Sequence, residues 1–150
     1  MCLIVSLPLN ILRSPVFRAA MLSDMEEGKN GEMFIPDIDE KTLCTLIKYV
    51  YTGQIEMAED QDIQMMINAA DKYQLPRLIT LVCNQMREAD INGERIADLL
   101  ISAYLHGKEE LRELAVEKIR ANRKICQEKG FRERMEGAPI SIMIDLVNDL

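Results

Sequence analysis

Tryptophan is absent from this 150-residue sequence, histidine occurs once, and aromatic residues make up only 5%. So few rings argue against a sugar-binding surface or a stacking platform for single-stranded nucleic acid. There is no CxxC pair either; Cys2, Cys44, Cys83 and Cys126 stand about forty residues apart. With His106 as the sole histidine, this spacing argues against a four-ligand zinc site. It fits an intracellular chain whose thiols are reduced and sit in core or half-buried positions. No GxSxG, HExxH or phosphate-binding loop occurs. A cysteine nucleophile would need His106 as its base, yet Cys44 and Cys83 fall within helical apolar periods. His106 stands before Gly107 at a predicted helix end, where an imidazole meets free carbonyls. Glu26 and Glu27 are neighbours in sequence, which does not place two carboxyls across a substrate. The expectation is a chain that is not an enzyme and carries no cofactor and no metal.

Positive charge is also scarce. Eighteen bases against 25 acids leave a formal net charge of −7. Nucleic acid and anionic membrane surfaces need a positive field, so neither is an expected partner. The asymmetry is concentrated at the front, where residues 1–60 hold ten acids and five bases. An acidic front suits a basic protein partner. Long apolar runs are lacking as well. The opening "MCLIVSLPLNIL" is too short for a bilayer, which needs about 20 residues. It has no basic leader and no small-residue cleavage site. It reads as a strand running into a short helix, with Pro8 near the join.

What is present is helical periodicity in a chain long enough for one domain, or one domain plus an appendage. A chain of this size buries roughly 68–70% of its extended surface, enough for a self-sufficient core. In "RSPVFRAAML", Ser14 is an N-cap and Pro15 takes the first helical position. "EMFIPDI" is a short strand ended by Pro36. Asp39 caps a helix with Leu43, Leu46, Ile47 and Val50 inward, stopped by Gly53. A helix from about Asp60 buries Ile63, Met66, Ile67, Ala70 and Tyr73. Pro76 reopens helix, with Leu78, Leu81, Val82 and Met86 inward. Asn92 caps the next, which buries Ile96, Leu99, Leu100 and Ala103 up to Gly107. "KEELRELAVEKIRANRKIC" follows with Leu111, Leu114, Ala115 and Ile119. The end is a short helical turn, a break at Gly137–Pro139 and a last apolar helix. Met25 stands out among the ten methionines. It lies at a predicted helix end beside acids, where core packing does not claim it.

The ordered series "RSPVF", "MEE", a short strand, "YVYTG" and "AADKYQL" resembles the BTB (POZ) domain, most closely the speckle-type group that carries a MATH domain in front. "GERIADLLISAYLHGKEELRELAVEKI" is similar to the 3-box helices that open a BACK domain. The resemblance covers about residues 9–150. It implies an α+β, mainly α-helical fold: a helical cluster with a small, incomplete β-sheet, then a C-terminal helical hairpin. It implies a BTB/POZ domain over residues 1–90 and a partial BACK over residues 91–150, in a nuclear or cytoplasmic protein. The family's opening hairpin is not seen ahead of Arg13, and Pro8 would disturb the first helix near Leu9. In cullin-binding members a hydrophobic–x–Glu pattern follows the helix. Here it reads Met25-Glu26-Glu27, so the resemblance makes Met25 the apolar anchor and Glu27 the acid, flanked by Asp24, with Tyr73 extending the surface. The implied partner is a cullin-3 N-terminal domain, and the implied role an adaptor of a RING ubiquitin ligase without a substrate-recognition domain of its own. Self-association, with itself or other BTB proteins, would use Leu9 and, in the last helix, Ile142 and Leu146. The rival expectation is a BTB oligomerisation module in transcription or chromatin that binds no cullin.

Overall fold

A computed structural model describes residues 3–6, 13–22, 29 and 32–150. Among these residues the chain is mainly α-helical, with eight α-helices and one antiparallel pair of strands. The expected sheet is therefore this single pair among the described residues. The chain forms two compact units, Met1–Leu81 and Val82–Leu150.

In the first unit, β1 (Leu3–Ser6) runs antiparallel to β2 (Glu32–Ile35), with Leu3 opposite Ile35 and Ser6 opposite Glu32. Helix α1 (Pro15–Met21) begins where Ser14 Oγ accepts the Phe17 N–H, with proline at the first turn as anticipated. Helix α2 (Glu40–Thr52) is capped by Asp39 and ends at Gly53, whose φ of 74° is a left-handed stop that glycine adopts without a Cβ clash. Its buried arc runs through Thr42, Leu43, Thr45, Leu46, Tyr49 and Val50. Ile47, expected inward, is only half-buried. The arc is centred nearer Leu46 and Tyr49, and a residue 100° around the wheel from Leu46 falls at its edge. Helix α3 (Ile63–Lys72) is capped by Asp62 and buries Ile63, Met66, Ile67, Ala69 and Ala70. It turns out through Gln74, at φ 52°, while the Leu75 N–H reaches back to the Ala70 carbonyl at 2.8 Å. Helix α4 (Pro76–Glu88) contains the boundary between the two units. Leu78, Ile79, Val82 and Met86 are buried on it, and Leu81 is half-buried.

The second unit continues with α5 (Gly93–His106), capped by Asn92 and stopped by Gly107 at φ 59°. Helix α6 (Glu109–Ala121) follows. The sequence reads as helical through Cys126, but α6 ends at Ala121. A 3₁₀ turn, Arg123–Gln127, takes over because the Asn122 side chain accepts the Lys124 N–H and caps a new start. Helices α7 (Lys129–Glu136) and α8 (Ile140–Asp149) complete the unit. Ile96, Leu99, Leu111, Leu114, Ala115 and Ile119 form its core, each fully buried.

The register of α7 on α5 rests on polar joints that close long loops. The Gly93 N–H donates to Glu128 Oε2 at 2.7 Å, filling a donor that the first turn of α5 leaves open. Arg134 donates twice to Glu94 Oε1, at 2.9 and 3.1 Å, and approaches the nearly buried Asp98 at 3.5 Å. A Cβ on residue 93 would sit 2.8 Å from Glu128 Oε2 and 2.9 Å from the Phe131 Cβ. Gly93→Ala is therefore expected to push the Glu128–Phe131 segment off α5 and destabilise the protein by about 1–3 kcal/mol. Urea unfolding followed by circular dichroism measures this, and an unchanged midpoint would refute the close approach.

Candidate functional site

Ser14 is fully buried, and its hydroxyl does two jobs. It accepts the Phe17 N–H at 3.2 Å and donates to the Tyr73 carbonyl at 2.5 Å, across 59 residues of sequence. Phe17 and Tyr73 pack beside this bond, with ring centroids 4.5 Å apart and planes tilted by 39°. A second joint lies at the same end of α1. The Arg13 guanidinium crosses over Gly53 so closely that a Cβ there would lie 3.0 Å from Cζ. The start of α1 is thus fixed to the ends of both α2 and α3. From that anchor α1 runs to the buried Met21, and Leu22 is 63% exposed. Arg13, Pro15, Arg18, Ala19 and Leu22 line an open cleft of about 430 Å³.

The acidic stretch follows directly. Asp24, Met25, Glu26 and Glu27 lie outside the described residues, and so does Leu9. The chain is described again at Lys29 and at β2. In sequence, the hydrophobic–x–Glu pattern therefore falls between the end of α1 and the start of β2. Tyr73, expected inward by helical period and, by the resemblance, at the edge of the partner surface, lies inward. It is 2% exposed, its ring lies against Phe17 and its carbonyl is taken by Ser14. Burial raises its phenol above the usual range. What reaches solvent beside it is Lys72, 5.4 Å over the ring and paired with Asp37 at 2.6 Å. The hydrogen bond to Asp37 raises the Lys72 pKa. Asp37, Ile38, Asp62, Met65, Asn68 and Lys72 border a cleft of about 260 Å³. Met65 Sδ there accepts the Asp39 N–H at 3.2 Å. Helical period separates Met65 from the buried Met66, but nothing local announces the sulfur contact.

Residues 11–90 match the model for the BTB/POZ domain. The chain belongs to the BTB/POZ family. A BTB domain is a protein-interaction module and is typically non-catalytic. The match spans α1 to α4 and includes the Ser14–Tyr73 and Arg13–Gly53 joints. No described helix is long and apolar enough to cross a membrane. No group of three or more His, Cys, Asp or Glu among the described residues could hold a metal ion.

Outside the BTB match, α8 divides its apolar side chains between two faces. Ile142 and Leu146, expected at a self-association surface, are each 4% exposed. They turn inward because α8 packs against α5 along that side. The outward face carries Ile140, Met143, Ile144 and Val147, at 77, 41, 56 and 70% exposure. These lie at i, i+3, i+4 and i+7, one stripe of the helix.

The thiols fall into different environments. Cys44, assigned by periodicity to a buried position, is exposed on α2, since the buried arc passes through Leu43 and Thr45 on either side of it. Cys126 is half-buried and its pKa is raised by that burial. Cys83 is buried within α4, and desolvation pushes its thiol up to about 12, with Glu110 adding to the shift. A thiol held at about 12 stays protonated in the folded chain at pH values where the same thiol in the unfolded chain ionises. Its contribution to stability is complete below about pH 9 and is lost as pH rises towards 12. In labelling with a maleimide or disulfide reagent, read by peptide mass spectrometry, Cys44 is expected to react promptly. Cys83 should stay unmodified from pH 7 to 9 until the protein is unfolded. Prompt labelling of native Cys83 would refute its burial.

Proposed function

We propose that this BTB protein is an adaptor of a cullin-3-type RING ubiquitin ligase. Met25, Glu26 and Glu27, with Asp24 beside them, dock the cullin-3 N-terminal domain. The supporting observation is one of position: the hydrophobic–x–Glu triplet stands between α1 and β2, inside the matched domain. An apolar side chain entering a partner's pocket, with a carboxylate beside it to orient the approach, is an economical hot spot. On this reading the BTB domain occupies residues 1–90. Residues 91–150 are the 3-box and the start of a BACK domain, and the nearest group is the speckle-type one. The protein would act in the nucleus or cytoplasm, bringing the ligase to a substrate held by another part of the assembly. Tyr73 supports the site from within, through the anchor of α1, without touching the partner.

Pull-down of a cullin-3 N-terminal domain tests the assignment. Wild type is expected to bind, and Met25→Ala combined with Glu27→Lys to weaken binding at least about tenfold, as loss of a central hot spot does. Equal binding by both proteins would defeat the site; no binding by either would favour the second reading.

That second reading is a module for homo- or hetero-oligomerisation in transcription or chromatin without a cullin. The exposed stripe on α8 favours it, because contiguous outward apolar residues at helical spacing mark association surfaces. Self-association would then run through Ile144 and Val147, while Ile142 and Leu146 hold α8 in place. Sedimentation across a concentration series is expected to show association that Ile144→Asp with Val147→Asp weakens about tenfold or more. Association indifferent to both substitutions would place the contact elsewhere.

A further inference from the structure

Helix α8 is attached to its own unit by few means. Of its six apolar side chains, only Ile142 and Leu146 are buried. Its first turn has no side-chain cap, and Gly137 and Pro139 stand just before it. Its far end is held by charge. Arg112 of α6 meets the Asp149 carboxylate at 2.5 Å and Glu109 at 2.8 Å, and Arg120 donates to the Asp149 carbonyl. An open cleft lies on each side of this bridge. One, of about 320 Å³, is bordered by Leu100, Ala103, Tyr104 and Leu146. The other, of about 360 Å³, is bordered by Val116, Glu117 and Arg120. Leu146 is buried one turn before this end, and the Arg112 bridge, with Arg120 and with Arg123 donating to the Leu150 carbonyl at 3.3 Å, holds the last turn of α8 between the two clefts.

We propose that α8 is a hinged strap, latched to α6 by the Arg112–Asp149 bridge and able to open about the Gly137–Pro139 link while α5 and α6 stay folded. Opening uncovers Leu100 and Ala103 on α5, so the latch controls access to an apolar groove. The device is independent of the cullin assignment, since every group in it lies within residues 100–149. Segments with few buried contacts open locally at lower free energy than the core they rest on. A partly exposed ion pair is weakened by salt over a Debye length of about 8–10 Å, so the latch should loosen as ionic strength rises.

Hydrogen exchange of the 150-residue chain, read by mass spectrometry, tests the strap. The α8 amides are expected to exchange ahead of those in α5 and α6. Their rate should rise by roughly two- to fivefold between about 0.05 and 0.5 M salt, the range an exposed ion pair supplies. Arg112→Gln and Asp149→Asn should each give a similar rise at low salt, and the double substitution should add little beyond either one. Unchanged exchange in α5 and α6 reports that each variant is folded. The rates should also be independent of protein concentration, which separates strap opening from release of an α8-mediated dimer. Exchange of α8 in step with α5 and α6, or indifference of α8 to salt or to the substitutions, would overturn the proposal.

Discussion

A single buried hydroxyl ties the two ends of the first unit together. Ser14 Oγ donates to the Tyr73 carbonyl at the exit of α3 and accepts the Phe17 N–H in the first turn of α1. In a dry interior neither group has water to turn to, so the joint holds as a pair or leaves both groups unsatisfied. Its geometry depends on the chain around Tyr73. The left-handed turn at Gln74 and the bond from the Leu75 N–H to the Ala70 carbonyl aim the Tyr73 carbonyl at Ser14. The Phe17 and Tyr73 rings then exclude solvent from it. The direction in which α1 leaves, and so the point at which the chain enters the acidic stretch after Leu22, follows from this contact together with the Arg13–Gly53 joint.

The residues that carry the family resemblance have a physical meaning in this light. "RSPVF" supplies Arg13, Ser14 and Phe17; "YVYTG" supplies Gly53; "AADKYQL" supplies Tyr73 and Gln74. These three stretches meet at the base of α1. They carry the resemblance and build this joint, and building a joint is a different matter from binding a partner. The distinction puts Tyr73, at 2% exposure, in that joint. It leaves the Met25-Glu26-Glu27 triplet as the part of the resemblance that joint-building does not account for.

Local chemistry was legible in the sequence because it is decided within a few residues. Ser14, Asp39 and Asn92 cap the helices they were expected to cap, and Gly53 and Gly107 end theirs in left-handed conformations. Helix faces were legible only up to a rotation. Periodicity puts Leu43, Leu46, Ile47 and Val50 near one another, but neighbouring elements decide where the buried arc is centred, which left Ile47 at its edge and Cys44 outside it. In α8 almost every face is apolar, so sequence alone could not choose between Ile142 and Ile144 as the outward one. Least legible were contacts between distant residues. Nothing near Gly93 announces Glu128, and nothing near Asp149 announces Arg112.

Charge supplies the remaining step towards function. Lys41, Lys48 and Lys72 each face a carboxylate of their own: Asp60, Glu56 and Asp37 respectively. The Lys48 contact draws the Glu56 pKa down. The lysines of α2 and α3 are therefore engaged with acids nearby, and the acids of residues 1–60 still outnumber the bases two to one. Such a surplus raises the rate at which a basic partner arrives, but at physiological ionic strength its reach is about 8 Å. It can orient an encounter without holding it. A lasting complex needs apolar area taken out of water at the centre of the contact, and in the acidic stretch Met25 is the side chain equipped to provide it. On the proposed docking reading, carboxylate and thioether would do separable work: the first would govern association and its salt dependence, the second dissociation.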